Sequence, residues 1–337
     1  MADAQIRAMT AADVEPAAEM IRQGEWGDRS VFLAWAVEFS PSHLFAAEDA
    51  GRIVGTGIAT ANGPVGWVGT IFVAPDRRRE GLGDALTRAV IADLETRGCR
   101  TLKLMATDAG RPLYVRLGFE VQAPQLFFTA AGLAPNETDD GVLPFDPTML
   151  PGIIALDRLA TGEDRSAVLE RLGSPESSRV LVGADGALRG FLVRGTWGGV
   201  SLVAPETDDA IRLLEWRRRQ AGLDHPVYAG FPDTGDSRRT RLQSEGWTLA
   251  GAGTRMIRAN HSNGTPTGYG ARSAGRSASA GGSCCARISD SSASPRPIPR
   301  TRPWSVHRRR PGRSVDQPGQ AQSERLGTMS DRWRSGT

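Results

Sequence analysis

One lysine, Lys103, and three cysteines are all that 337 residues hold of those two types. Cys99, Cys284 and Cys285 are too few and wrongly spaced for a disulfide framework or a zinc site. The chain is therefore expected in a reducing compartment, the cytoplasm, with no metal. No apolar run reaches the ~18 residues of a membrane-spanning helix, so no membrane partner is expected. The opening MADAQIRAMTAADVEPAAEM lacks the basic and apolar regions of a secretory signal. Arginine, alanine, glycine and proline dominate instead, as a G/C-rich coding sequence would produce, and that bias has no functional meaning.

The net charge of +3 hides an asymmetry. Up to Arg258 there are 28 Lys and Arg against 34 Asp and Glu, a balance of −6; from Ala259 on there are 13 against 4, a balance of +9. The high pI belongs to the end of the chain and gives no argument for nucleic-acid binding by the part before it.

The most informative stretch runs from Trp67 to Glu120. Trp67 to Val73 alternate like a strand and stop at Pro75. Arg78, Arg79, Glu80, Gly81, Leu82, Gly83 and Asp84 follow, and from Leu82 the apolar residues Leu82, Leu86, Val90 and Leu94 keep helical spacing. Gly98 ends that helix, and Leu102 and Leu104 open another strand. A glycine-rich turn opening a helix is an anion site, because the first N–H groups of a helix have no internal partner and lie at its positive end. Glycine at 81 and 83 permits close approach of a phosphate, and Arg78 and Arg79 add charge.

The frame of strand, Pro75, Arg78-x-x-Gly81-x-Gly83 and helix resembles the coenzyme A loop of the GCN5-related N-acetyltransferases, the GNAT family. PLYVRLGF, with Tyr114 thirty-one residues after Gly83, resembles the same family's later motif. The resemblance implies an acyltransferase that moves an acetyl group from acetyl-CoA to the amine of a small acceptor. It implies that Ile71, Phe72 and Val73 pair with the pantetheine arm. A backbone N–H there would polarise the thioester, and Arg78 to Asp84 would cradle the pyrophosphate. Tyr114 would protonate the leaving thiolate, although a packing role is open to it. Many members carry a glutamate base where Gly69 and Thr70 stand here. Glu25, Asp28 and Asp108 are candidates by location alone, and water-mediated deprotonation is an equal alternative. Thr107 and Gly110 also depart from the residues the family often has. His43 and His225 are read as structural. The alternative function is a non-catalytic acetyl-CoA sensor or scaffold.

Upstream, AQIRAM alternates like a first strand, Thr10 suits a helix N-cap, and HLFAAEDAGRIVGTGIAT reads as a hairpin about Asp49-Ala50-Gly51. The aromatics Trp26, Phe32, Trp35 and Phe39 lie in a segment that arches over the acceptor site in the family; singly, each reads better as core.

The pattern then recurs. VLVGADGALRGFLVR mirrors AAEDAGRIVGTGIAT, and Val203-Ala204-Pro205 repeats Val73-Ala74-Pro75. Ala74 to Gly118 spans 44 positions and Ala204 to Gly246 spans 42, which argues for a second copy of one fold. In the copy, Glu206-Thr207-Asp208-Asp209-Ala210 replaces the glycine loop and Leu242 replaces Tyr114. The layout resembles tandem-GNAT YitH-like acetyltransferases with a degenerate C-terminal domain. The matching residues are Ala106 to Arg111, Asp157-Arg158, Asp164-Arg165 and Arg255-Met256.

The expected fold is α/β with a mixed sheet. Residues 1–130 form the catalytic domain, 131–147 a linker and 148–258 the degenerate domain. Residues 259–337 form a disordered basic tail rich in Ser, Arg, Pro and Gly, unable to bury enough surface to fold. That tail reads alternatively as a nucleic-acid arm, a membrane-surface arm or a shifted reading frame. The expected state is a monomer, itself a pseudo-dimer of tandem domains, or a homodimer.

Overall fold

The computed structural model describes residues 4–24, 26–135, 141–195, 199–233, 238–259 and 284–288, all within one compact unit, Met1–Ser294. The first half runs β1 (Gln5–Ala8), α1 (Val14–Gln23), α2 (Ser30–Val37), β2 (Ser42–Asp49), β3 (Arg52–Asn62), β4 (Val65–Val73), α3 (Leu82–Thr96), β5 (Thr101–Ala106), α4 (Arg111–Arg116) and β6 (Glu120–Ala130). Ala50 and Gly51 both take positive φ between paired Asp49 and Arg52, the two-residue turn whose twist matches a hairpin.

Alternation along β3, together with a register shift of β4 between Val68 and Phe72, sorts the core into two layers. Ile58 and Phe72 join the α1 and α2 residues Ala17, Ile21, Leu33 and Ala36 on one face. Ala59 and Val68 join Val90, Leu94, Leu102 and Leu104 on the α3 face. Each buried leucine of α3 contributes about 2 kcal/mol of apolar transfer. The period of 3.6 in α3 and of 2 in the strands is what lets both faces be covered at once.

The second half repeats this order: β7 (Val142–Pro144), α5 (Leu150–Thr161), α6 (Ser166–Leu172), β8 (Arg179–Val182), β9 (Leu188–Arg194), β10 (Val200–Ala204), α7 (Thr207–Ala221), β11 (Val227–Pro232), α8 (Arg238–Ser244) and β12 (Thr248–Ala259). Helices α3 and α7 are each 15 residues long. Two strands lie in segments where the sequence reading placed none. Val142–Pro144, inside the segment read as linker, pair with β8 as an edge strand. Within the segment read as a disordered tail, Cys284–Ile288 form β13, which pairs with β10 and, through Gly230 and Arg287, with β11. Ala259, its first residue, ends β12; the rest of that segment lies outside the described residues.

A single sheet of order β1-β2-β3-β4-β5-β12-β6-β11-β13-β10-β9-β8-β7 joins the halves. The halves exchange their last strands. β12 lies between β5 and β6, while β6 pairs with β11. Separating the halves would therefore break three ladders, β5 with β12, β12 with β6 and β6 with β11.

The start of α1 is fixed by charge. Arg7 donates to both carboxylate oxygens of Asp13, at 2.7 and 2.8 Å, and to Glu48 at 2.5 Å. The Arg7 hydrogen bonds, with help from Thr10, outweigh burial and hold the Asp13 carboxyl well below the usual carboxylate range. A depressed folded-state value gives stability that is fully present above the unfolded carboxylate value of ~4 and fades as pH falls below it. Asp13→Asn is expected to cost about 1–3 kcal/mol at neutral pH. In denaturant titrations the gap between variant and parent should close steadily toward pH 3; a gap independent of pH would refute this account.

Candidate active site

Strands β4 and β5 run parallel, but they pair only over Val65–Trp67 and Thr101–Lys103. Past Trp67 and Lys103 they separate. β4 keeps β3 on one side, and among the described residues no strand lies against its other edge. The N–H and C=O groups along that edge are open to a ligand that can pair like a strand. Just above the point of separation, β4 bulges. Thr70 has φ 47°, and the ladder with β3 shifts between Thr56/Phe72 and Ile58/Gly69. Thr56 Oγ1 donates to the Thr70 carbonyl at 3.0 Å and pins the distortion. A β-branched residue at positive φ is strained, and nothing in the sequence forecast a bulge there.

β4 ends in a 3-10 turn, Pro75–Arg77, and then the glycine loop. Gly81 has φ 87° with open space where a side chain would stand, and it caps α3. A methyl group added at Gly83 would lie 3.7 Å from Leu113 and 3.8 Å from Val73. The first turn of α3 is thus seated between the end of β4 and α4. Arg77 braces the loop, donating to Asp49 at 2.6 Å and to Glu80 at 2.9 Å. Glu80 and Asp84 are each spoken for, Asp84 by Arg88 at 2.6 Å, so neither faces the loop as an unpaired anion. Arg78 and Arg79 are exposed. Arg78 donates to the Val73 carbonyl at 3.2 Å and lies 5.8 Å from the Phe72 ring. Phe72 and Leu82 are buried, so only their backbone can meet a ligand. The assembled features are a helix N-terminus, a glycine with room beside it, two exposed arginines and an open strand edge. They suit a long ligand with an anionic pyrophosphate at one end and an amide-bearing arm at the other.

Tyr114 sits on α4, in the core cluster with Leu102 and Phe119. Its ring meets Phe119 edge-on, centroids 6.1 Å apart, and it is 8% exposed. Burial pushes its hydroxyl up to about 12.

The candidate bases fare differently. Glu25 lies outside the described residues. Asp28, two residues before α2, accepts from the Ser30 N–H at 2.8 Å and pairs with Arg22. Asp108 is exposed in the turn before α4. His43 bonds Asp93 at 2.7 Å, tying β2 to α3.

A buried carboxylate that sequence reasoning missed lies beneath the splayed strands. Glu163, between α5 and α6, is 3% exposed. It accepts from Asn62 at 2.9 Å, from Trp67 Nε1 at 2.9 Å and from Lys103 at 3.0 Å. Burial alone would raise its carboxyl, but Lys103 with Trp67, Arg165 and Asn62 outweighs it and holds the group below its usual range. So bound, Glu163 is a poor proton acceptor and a good tie between the halves. The signal in the sequence was Lys103 itself, the single lysine, inside an apolar strand where a charge demands a partner.

Among its described residues the second half lacks this equipment. At the start of α7, Glu206, Thr207 and Asp208 line an open hollow with Thr240, Arg241 and Ser244. Arg241 is committed to Asp208 and Glu245. Leu242 is buried where Tyr114 stands in the first half. The gap between β10 and β11 holds β13.

Residues 9–119 match the model of the acetyltransferase (GNAT) family, and residues 153–268 match that of an acetyltransferase (GNAT) domain. An acetyltransferase of Sodalis glossinidius is 30% identical over 100 residues, covering 29% of this chain and 70% of the relative. The mycothiol acetyltransferase of Thermobispora bispora is 38% identical over 91 residues, and the match spans 24% of this chain and 31% of that relative's length. Among solved structures, a candidate acetyltransferase of Pyrococcus horikoshii superposes with TM-score 0.61 at 20% identity, over 76% of this chain and 89% of that one. A tandem GNAT protein from the clavulanic acid biosynthesis pathway superposes with TM-score 0.52 at 14% identity, over 76% and 98%. The last two likenesses concern the fold.

Proposed function

The chain belongs to the GNAT acetyltransferase family, and we propose that its first half moves an acetyl group from acetyl-CoA to the amine of a small acceptor. The observation that carries this reading is the glycine loop at the α3 N-terminus beside the unpaired edge of β4. Acetyl-CoA supplies an activated acyl thioester. Gly81, Gly83 and the N–H groups opening α3 hold its pyrophosphate, with Arg78 and Arg79 adding charge. The β4 edge over Ile71–Val73 pairs with the pantetheine amides, and a free N–H near the bulge at Thr70 polarises the thioester carbonyl. Tyr114 holds a proton on its hydroxyl for the departing sulfur. Asp28 and Glu163 are already bonded, so the acceptor loses its own proton to water or to the exposed Asp108.

No helix among the described residues is long and apolar enough to cross a membrane. Among them no cluster of His, Cys, Asp and Glu could hold a metal ion.

Calorimetry with acetyl-CoA, followed by thiol release against polyamines, amino acids and aminoglycosides, tests the proposal. One molecule of cofactor bound per chain and amine-dependent thiol release are expected. Binding with no release for any amine would instead indicate a sensor of acetyl-CoA. No binding at all would end both readings.

A further inference from the structure

On the face of the sheet opposite α3, Arg255 stands without an anion among the described residues. Met256 is fully buried in the α3-side core with Leu102 and Leu104. Alternation therefore puts Arg255 on the opposite face, along with Lys103 and Met105 of β5. Trp67, the neighbour of buried Val68, faces the same way. Arg255 is paired across the ladder with Met105. Its guanidinium lies 5.4 Å from the Trp67 ring. Trp67 and Lys103 form the last β4–β5 pair before the strands separate, so Arg255 stands at the fork of the splay.

The surrounding charges are matched in pairs. Lys103 bonds Glu163, Arg165 bonds Asp157, Arg158 bonds Asp164 and Arg258 bonds Glu95. Glu163 already accepts three hydrogen bonds and is neutralised by Lys103. Among the described residues no carboxylate pairs with Arg255, and its Nε is buried without a partner. The residue as a whole is only half-buried. An unsatisfied buried donor on a charged group costs about 1–3 kcal/mol, and a cation–π contact leaves the guanidinium charge uncompensated.

Direction completes the argument. The anion site at α3 brings the cofactor in from the α3 side, so an attacking amine must reach the thioester from the opposite face. That face also carries Trp26, 38% exposed and edge-on to Phe72 at 5.3 Å, and Met105, 39% exposed. We propose that Arg255 anchors a carboxylate of the acceptor, so that the acceptor is an amino acid or a similar amine bearing a carboxylate. A planar carboxylate of single charge matches one guanidinium fork, whereas a phosphate dianion would leave a charge unmatched. Trp67 fixes the guanidinium plane, and the exposed apolar groups receive the rest of the molecule. The inference rests on the acetyl-transfer reading above.

The test compares glycine with glycinamide, leucine with leucinamide, and phosphoethanolamine, in the parent and in Arg255→Met and Arg255→Lys. Expected in the parent is a preference for the carboxylate over its amide of at least 10-fold in kcat/KM. In Arg255→Met that preference should vanish through a KM about 30-fold higher for the carboxylate, with use of the amide and acetyl-CoA affinity unchanged and the melting temperature no lower. Arg255→Lys should keep part of the preference. A second readout needs no turnover: the same carboxylates should raise the melting temperature of the coenzyme A-loaded parent and not of loaded Arg255→Met. Equal use of acid and amide by the parent, or a preference that survives in Arg255→Met, overturns the anchor. So does phosphoethanolamine outperforming both amino acids. If no amine is acetylated yet the carboxylate shift is present and depends on Arg255, the anchor stands and the acetyl-transfer reading falls.

Discussion

Gly81→Val is expected to weaken acetyl-CoA binding by about 100-fold or more, a little under 3 kcal/mol, when measured by calorimetry. Two effects combine. Gly81 has φ 87°, where a β-branched side chain costs on the order of 1–3 kcal/mol; relief of that strain would turn the loop and misdirect the N–H groups that open α3. The space beside Gly81 is empty of protein atoms within 4 Å, so the added side chain meets no neighbour in the free protein and projects where the phosphates are to lie. The fold should survive, because Arg77 still joins Asp49 and Glu80 on the far side of the loop. Gly81→Ala shares the backbone cost with less bulk and should fall between. Affinity unchanged in the valine variant would remove the cradle assignment.

Tyr114→Phe is expected to lower kcat by about 100-fold while cofactor affinity barely changes, the usual size for loss of a positioned acid. The ring packing against Phe119 is kept. Burial has already pushed the hydroxyl up to about 12, so it stays protonated through the working pH range. Giving that proton to a free thiolate, whose acid lies near ~8.5, would be uphill by roughly 5 kcal/mol at 1.36 kcal/mol per unit. The sulfur, however, departs into the same poorly solvated place, which raises its acid as well and narrows the gap. Tyr114 should then contribute no ionisation to the rate profile below about pH 11. A rise in rate toward alkaline pH should follow the acceptor amine and persist in the Phe variant. Leu242→Tyr in the second half should create no activity, since Asp208 and Glu206 still line the place of the loop. A Phe variant as fast as the parent, with chemistry shown to be rate-limiting, would reduce Tyr114 to a packing residue. Weaker cofactor binding at unchanged kcat would make its hydroxyl a binding contact.

Local features of the fold were legible because they follow from local chemistry. The turn at Ala50-Gly51, the helix opened by Gly81, and the recurrence of Val-Ala-Pro before α3 and α7 depend on backbone freedom and apolar period, which are properties of short stretches. The same holds for the missing glycines at Glu206 to Ala210, and for the likeness to tandem acetyltransferases that those motifs carried. What crosses the chain was not legible. The exchange of β6 and β12 follows from which ladder each strand completes, and alternation along a strand is the same whichever neighbour it takes. The bulge at Thr70 was hidden because its cause, the Thr56 hydroxyl, sits on another strand. Lys103 announced a need for a partner, but Glu163 lies 60 residues away, and only the packing of the second half beneath the first brings the two to 3.0 Å. Arg255 shows the same division. The sequence supplied an arginine beside a buried methionine. The sheet decided that this arginine lies over Trp67 at the fork of the splay, while the carboxylates of Asp157, Glu163 and Asp164 are taken by other cations.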